Sequence, residues 1–544
     1  MIFTLDDPGA DDPRRSGAKA AWLARARRAG LPVPPGLVLD AAVSRPYLTK
    51  AAEALAVRGS GRARLLVSGS ELEPVLKRRL VEEASKLGSR LAVRSSSVLE
   101  TGGEWAGAFS SYLDVDTSEL EKAVLGCWAS VFTVDSLHRF EATGLEPHTH
   151  PMAVLIQPYL DPSAGGVAWI EGDTVRVEAV PGSPAGLLGG WVKGTWAEVD
   201  SEGRVSYRGT EVAPEAVAAA ARVLRHASSA LGVDHCEWIY TDRLWLLQLH
   251  RRGVAETRPR AVPTEVIQPQ VLRIARVVRR APGPLGERLV LPWAVAAGES
   301  TARPWEGDPA LAFDRAVELS QELAASVWGL PPGEAVERAV AALRALRGED
   351  PEGAAELFEG LTPPDPNLVA VAWGAVDATR RHLADLGVVA HPHLAWFLEP
   401  SQIEAALRGE RALRRDRAGF DRWEPLQAAV AIATGTPTEG RSAAAGLGAG
   451  RMLWVAEPDD LRRFRPRDVV VVPRPLPQVA PLLWDAAGLV SLEGSPAAHL
   501  FESARSLGVP AVCGIEPAWD PGSATGRLLL AVDGDAGIVY SMDW

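Results

Sequence analysis

Cysteine, net positive charge and long apolar runs are all scarce in this chain, and each scarcity removes a class of function. Only three cysteines occur among 544 residues, Cys127, Cys236 and Cys513, and their separations match no zinc spacing. They read as buried thiols in a reducing compartment. Lys and Arg number 57 against 69 Asp and Glu, a net charge of −12, which leaves no broad basic field for nucleic acid. No apolar run reaches membrane-spanning length. The acidic opening MIFTLDDPGADDPRR lacks the apolar core of a signal peptide. The expectation is a cytoplasmic protein with neither a nucleic-acid nor a membrane partner.

What remains is a chain that is 47% hydrophobic and 23% charged, long enough for several domains. Three textures follow one another, and together they predict an α/β multidomain protein. Residues 1–255 mix helices and strands. AAWLARARRAG reads as a helix ending at Gly30, LVLD as a strand, and VRVEAV, CEWIYT and LWLLQLH as further strands, with a tight turn at Asp242 and Arg243. The cluster Arg25, Arg27 and Arg28 reads as a solvated helix face. A Pro-punctuated stretch, RPRAVPTEVIQPQ, marks a boundary, and residues 256–430 are mainly helical. ATGTPTEGRSAAAGLGAG then reads as a flexible connection. Residues 431–544 alternate strand and helix: DVVVV, PLLWDAA, GLVSL, a further helix, and PAVCG.

That further helix carries a local chemical argument. In LEGSPAAHLFESARSLGVP, Ser495 and Pro496 suit an N-cap and first helical position, and Gly508 suits the C′ stop. His499 then falls in the first turn, where the helix dipole disfavours imidazolium and free backbone N–H groups favour a phosphate. Leu500, Ala504 and Leu507 form an apolar face; His499, Glu502, Ser503 and Ser506 form a polar one, so His499 should be exposed. By spacing alone, an ordinary surface histidine near a cap is the plainer reading.

The surroundings change that. GLVSLEG, a histidine, then ARSLGVPAVCG resembles the phosphohistidine domain of the pyruvate phosphate dikinase, phosphoenolpyruvate synthase and rifampin phosphotransferase family, whose motif GG-x-TSHAAIVAR-x-LGIPAV aligns its phosphorylated histidine with His499. Here Ala497-Ala498 replace Thr-Ser, Ser495 replaces a glycine, and Glu502 and Ser503 replace an apolar pair. The first 255 residues resemble the family's ATP-grasp domain. That resemblance implies Lys19, in SGAKAAW, and Arg94, in AVRSSS, on ATP phosphates, with Gly107 and Ser111 on the phosphate-covering loop. It further implies Gln157 beside the adenine strand, and Glu237 and Gln248 around Mg²⁺ and phosphates. The family's arginine two residues beyond that glutamine is His250 here, and the adjacent Arg251 is the candidate substitute. Ala185 stands where the family has a glutamate.

The resemblance thus implies an N-terminal ATP-grasp domain, a mainly helical middle domain and a C-terminal swivelling phosphohistidine domain, an order similar to rifampin phosphotransferase. The chain ends at Trp544 with no room for a pyruvate barrel, and its middle is much shorter than the family's antibiotic-binding domain. The implied activity is ATP-dependent phosphoryl transfer through His499 to a small-molecule acceptor bound in the middle domain. His391 and His393, with Trp373, Trp396 and Phe397, are candidates for that pocket, against a plainer reading as helix packing and a solvated turn. Transient phosphorylation that drives dehydration or displacement is a variant. A nucleotide-binding regulator without turnover is the competing class, motivated by Ala185, His250 and the altered flank of His499. An ATP-grasp ligase would leave the histidine domain idle.

Overall fold

The apolar runs of the N-terminal half pair into two antiparallel sheets. The computed structural model describes residues 1–101, 103–208, 212–251, 274–275, 277–278, 280–281, 283–297, 301–346, 354, 356–389, 392–409 and 424–543. The first sheet holds β1 (Ile2–Thr4), β2 (Leu37–Leu39), β3 (Arg90–Ser96), β4 (Ser111–Asp116) and β5 (Ala153–Pro158), in the order β1-β2-β5-β3-β4. The second holds β6 (Ala164–Glu171), β7 (Thr174–Pro181), β8 (Thr195–Val199), β9 (Val205–Arg208), β10 (His235–Tyr240) and β11 (Leu244–His250), in the order β11-β10-β6-β7-β8-β9. The turn at Asp242 and Arg243 joins β10 to β11 as the sequence predicts.

Two helices tie these sheets together. From α1 (Pro13–Arg28) come Ala20, Leu23 and Ala24, and from α2 (Pro214–Leu231) come Ala220 and Leu224. They share one buried cluster with Leu155 of the first sheet and Val177, Trp238 and Leu246 of the second. The arginines of α1 are not simply solvated: Arg27 pairs with Asp6 at 2.6 Å, and Arg25 and Arg28 pair with Asp11. The acidic N-terminal segment covers this basic helix end.

The boundary stretch at 256–270 lies outside the described residues. Beyond it, α3 (Ala312–Trp328), α4 (Pro332–Leu346) and α5 (Pro366–Asp385) pack about Trp293, Trp373 and Trp396. Trp373 meets both other rings edge-on, at 5.7 and 6.5 Å between centroids. Trp373, Trp396 and Phe397 are buried in the core of the helical body. His391 lies outside the described residues, as does the side chain of His393.

After α6 (Glu424–Thr434), an eight-stranded sheet forms from β12 (Thr436–Glu439), β13 (Arg441–Ala444), β14 (Leu447–Trp454), β15 (Val469–Val472), β16 (Gly488–Ser491), β17 (Ala511–Cys513), β18 (Leu528–Asp533) and β19 (Ile538–Asp543). Its order is β12-β19-β18-β14-β15-β16-β17-β13. Two expectations are corrected here. The Gly/Ala-rich stretch is not a flexible connection but the strands β12, β13 and β14. Its small residues permit close backbone approach: a Cβ on Gly450 would stand 1.9 Å from the Arg467 carbonyl oxygen. The PLLWDAA segment belongs to a 3₁₀ helix, Pro477–Trp484, because Pro481 lacks the N–H that an α-helix needs inside its ladder.

The last helix that matters is α7 (His499–Ser506), packed on this sheet through Leu500, Phe501 and Ala504. The chain is an α/β multidomain protein. Among the described residues, no helix is long and apolar enough to cross a membrane. All three cysteines are free and buried, and burial pushes the Cys127 and Cys513 thiols up to about 12.

Candidate functional site

The site begins where α1 meets the end of β3. Gly17 takes φ 75°, and a Cβ there would stand 2.0 Å from the Ser96 carbonyl oxygen, so only glycine lets the helix start this close to the strand. The Ala18 amide donates to the Ser97 carbonyl, and the Ala20 amide to the Ser96 hydroxyl. That anchoring aims Lys19 across the strand end. Its ammonium donates to the Ser95 carbonyl at 2.9 Å and to Glu100 Oε1 at 3.2 Å, with both side chains buried. Arg94, on β3, is also buried; it donates to the Leu247 carbonyl and lies 3.8 Å from Glu237. Burial lowers the Arg94 pKa, while Glu237 and Glu100 act in the opposite sense.

The second sheet supplies the opposite wall. Glu237 on β10 stands directly across the ladder from Gln248 on β11. Gln157 at the end of β5 is fixed by its amide donating to the Pro34 carbonyl at 3.1 Å. Together with Lys19, Arg94, Gly107 and Ser111, these residues line one cavity of about 380 Å³, and His499 lines it too. The apolar part of the wall includes Phe109, Leu160 and Ile239, suited to a flat ring. Ala185 also lines it. Arg251 does not: its guanidinium donates to the Gly232 carbonyl at 2.8 Å, beyond the end of β11. The substitution of Arg251 for the family's arginine is thus corrected.

His499 reaches this cavity from the C-terminal body. It opens α7, with Ala498 at the N-cap rather than Ser495, because Pro496 and Ala497 form a separate turn first. Nor is His499 fully exposed: its side chain keeps 28% of its surface, and Glu502, Ser503 and Ala504 behind it are buried. Gly107 explains the ring's seat. At φ 67° it brings its backbone so near that a Cβ would stand 3.0 Å from His499 Cδ2.

Behind the ring is a carboxylate that sequence reasoning treated only as a departure. Glu502 Oε2 lies 3.4 Å from His499 Nδ1, and Glu502 Oε1 lies 2.7 Å from His250 Nε2 of the N-terminal body. The His250 ring stacks on His235 at 4.4 Å. Burial works against a charged His499 ring, but the hydrogen bond to Glu502 and the charges of Glu237 and Glu502 outweigh it, and the pKa is raised above 6.5. Those nearby carboxylates work against the neutral imidazole that the helix start alone would favour. Burial would raise the Glu502 pKa, yet His250, His499 and His235 hold it well below the usual carboxylate range.

Further contacts seat α7 on the N-terminal body. The Ser503 hydroxyl donates to the Gly103 carbonyl at 3.3 Å. The Ser495 hydroxyl donates to the buried Glu178 carboxylate and accepts from the Ala497 amide. Ala497 packs against Val167, Trp169, Val180 and Leu187. Glu100, Glu178 and Glu502 are the polar residues of this region that motif reading missed. Only Glu502 left a signal, its spacing three residues beyond His499 on one helix face.

Mg²⁺ is the metal that the fold implies, and the donor set suits it. Glu237 and Gln248 offer two oxygens side by side on the cavity wall. Mg²⁺ takes few protein ligands and completes its shell with phosphate and water. Among the described residues, no group of three or more His, Cys, Asp or Glu forms a self-sufficient metal cage.

A cavity of about 380 Å³ in the N-terminal body, lined by both charged and apolar side chains and reached by a histidine of the C-terminal body, has the size and lining to suit a nucleotide. Comparison with known families agrees: residues 14–208 match the pyruvate phosphate dikinase AMP/ATP-binding domain, and residues 464–537 match the PEP-utilising enzyme mobile domain. The chain thus carries a pyruvate phosphate dikinase-type AMP/ATP-binding domain followed by a PEP-utilising-type mobile domain. Its relatives include the phosphoenolpyruvate synthase of Aeropyrum pernix, 29% identical over 35% of this chain and 27% of that one. Another is the prodigiosin synthesizing transferase PigC of Serratia marcescens, 27% identical over 46% of this chain and 32% of that one. The matched region thus spans about a third or less of either relative. An acetyl-coenzyme A synthetase from Ca. Korarchaeum cryptofilum aligns with 32% of this chain and 82% of its own at 13% identity, but with a TM-score of 0.22 the superposition is too poor to bear on the fold.

Proposed function

We propose that this chain is an ATP-dependent phosphotransferase that carries the β-phosphoryl group of ATP on His499 to a small-molecule hydroxyl acceptor, releasing AMP and inorganic phosphate. The observation that supports it most is that His499 lines the same cavity as Lys19, Arg94 and Glu237, across from residues of two different sheets. Lys19 and Arg94 would meet the phosphate oxygens, Arg94 with its planar fork and Lys19 as a point charge. The backbone at Gly107 and the hydroxyl of Ser111 would close over them. Gln157 and the apolar wall would hold the base. Mg²⁺, held by Glu237 and Gln248, would neutralise charge on the phosphates as the bond breaks.

His499 Nε2 then attacks the β-phosphorus, the bond to the α-bridging oxygen breaks, and AMP leaves with the electron pair. Water removes the terminal phosphate, leaving phosphohistidine. A covalent carrier separates the ATP step from the acceptor step and lets each occur at its own place. The middle body is the region left for the acceptor. PigC is a named transferase of prodigiosin synthesis, which favours an acceptor of natural-product type over pyruvate.

The test is incubation with ATP labelled at the β-phosphate. Acid-labile label and AMP, both lost in His499→Ala, are the expected result. Absence of label and AMP from the wild-type chain, with and without candidate acceptors, would sink the proposal.

A further inference from the structure

We propose that Glu502 is a positioning residue for His499 and that it is set in place by His250 only while the two bodies are docked. The inference rests on the carrier role just proposed and concerns how the ring is aimed.

Imidazole attacks through whichever nitrogen lacks a proton, and the partner of the other nitrogen decides which that is. In this structure Glu502 Oε2 faces His499 Nδ1 at 3.4 Å. A carboxylate there accepts the Nδ1 proton as a hydrogen bond and leaves Nε2 free. When Nε2 forms its bond to phosphorus, the ring becomes cationic with its proton still on Nδ1. Glu502 then opposes that charge at close range without taking the proton, the role an aspartate plays behind a catalytic histidine.

The second half of the argument is where Glu502 gets its geometry. A buried carboxylate needs partners. Its other oxygen lies 2.7 Å from His250 Nε2. His250 is itself held by stacking on His235. Both belong to the N-terminal sheet, whereas Glu502 and His499 belong to the C-terminal body. The two family departures noted in the sequence, histidine for arginine at 250 and glutamate for an apolar residue at 502, thus meet at a single contact. Lifting α7 away would remove His250 from Glu502 and leave the carboxylate free to turn from the ring. The ring is aimed at the ATP site and not elsewhere.

The charged groups around this pair come from every neighbouring element. Glu237 faces His499 from β10 and Lys19 from α1, while His235 and His250 face Glu502 from β10 and β11. Arg505 lies one turn along α7 and feels the Glu502 charge. Attack requires the neutral ring, so labelling of His499 should fall as pH drops through its raised pKa. Removing the Glu502 charge lowers that pKa, so the acid limb should move to lower pH even as the plateau falls.

The experiment compares wild type, Glu502→Gln and His250→Gln in single-turnover labelling from β-labelled ATP across pH. In both variants the plateau rate should drop roughly 10- to 100-fold, the range seen when a partner that orients a histidine is removed. The acid limb should shift downward in Glu502→Gln. An unchanged rate and limb in Glu502→Gln, with wild type active, overturns the positioning role. A second readout does not need turnover: ¹⁵N shifts of histidine-labelled protein, assigned with His499→Gln, report the tautomer. A predominant Nδ1–H form in wild type, lost in Glu502→Gln, supports the proposal; a predominant Nε2–H form in wild type overturns it. If wild type takes up no label, the carrier reading fails while the tautomer still decides for or against Glu502.

Discussion

Replacing Lys19 by methionine should destabilise the N-terminal body much more than deletion of a surface charge would. The Lys19 and Glu100 side chains are only 6% and 8% exposed and lie 3.2 Å apart. Glu100 also accepts from the Ser97 amide at 2.8 Å, so it cannot turn to water without releasing the backbone that shapes the cavity. Breaking one partner of such a buried pair costs about 3–5 kcal/mol, because the other charge is left uncompensated. For a body of this size each kcal/mol moves Tm by about 2–4 °C, so the N-terminal transition should fall by roughly 6–20 °C. Scanning calorimetry measures it, with hydrogen exchange of β3 to identify which transition moves. The double variant Lys19→Met/Glu100→Gln should regain most of that loss, since neither charge remains buried alone. ATP affinity should be lost in both. A single variant that melts within about 2 °C of wild type would refute the reasoning, as would a double variant no more stable than the single.

Two other substitutions probe the seat of His499. Gly107→Ala forces a side chain into φ 67° and against the His499 ring; the left-handed conformation alone costs roughly 1–2 kcal/mol, so labelling of His499 should slow about tenfold or more and ATP affinity should fall with it, as quench-flow and calorimetric titration would show. Ser495→Ala strips the donor from buried Glu178, whose pKa burial already raises; docking should weaken by about 1–3 kcal/mol, seen as a larger undocked fraction by FRET between labels on the two bodies, and an unchanged distribution would count against the contact.

Much of the fold was legible because its signals are local. The β-branched run at β15, the tight turn between β10 and β11 and the period of α3 and α4 are each set by a few neighbouring residues. The failures share one cause. Small residues between Thr436 and Gly450 read as slack, yet they are small because other backbone passes beside them, as Arg467 does at Gly450. The polar face of α7 read as solvated, yet Glu502 and Ser503 are buried against residues as far back along the chain as His250 and Gly103. Of the nine proposed site residues, motif order brought together Lys19, Arg94, Gly107, Ser111, Gln157, Glu237, Gln248 and His499 at one cavity and misplaced only Arg251. Glu100 and Glu178 left no trace, since the partner of each, Lys19 or Ser495, lies far away along the chain.

The order of the C-terminal sheet has a further consequence. Its two outermost strands, β12 and β13, are separated along the chain by Gly440 alone, so the sheet curls until its edges meet at that residue. A Cβ on Gly440 would stand 2.6 Å from the Ile515 side chain, which is why the corner can turn so tightly. Open sheet edges recruit strands from other chains, and closure is the surest protection against that. The carrier proposed above, which would part from its neighbour and return, would expose side chains at each parting, while its two edge strands stay joined end to end at Gly440.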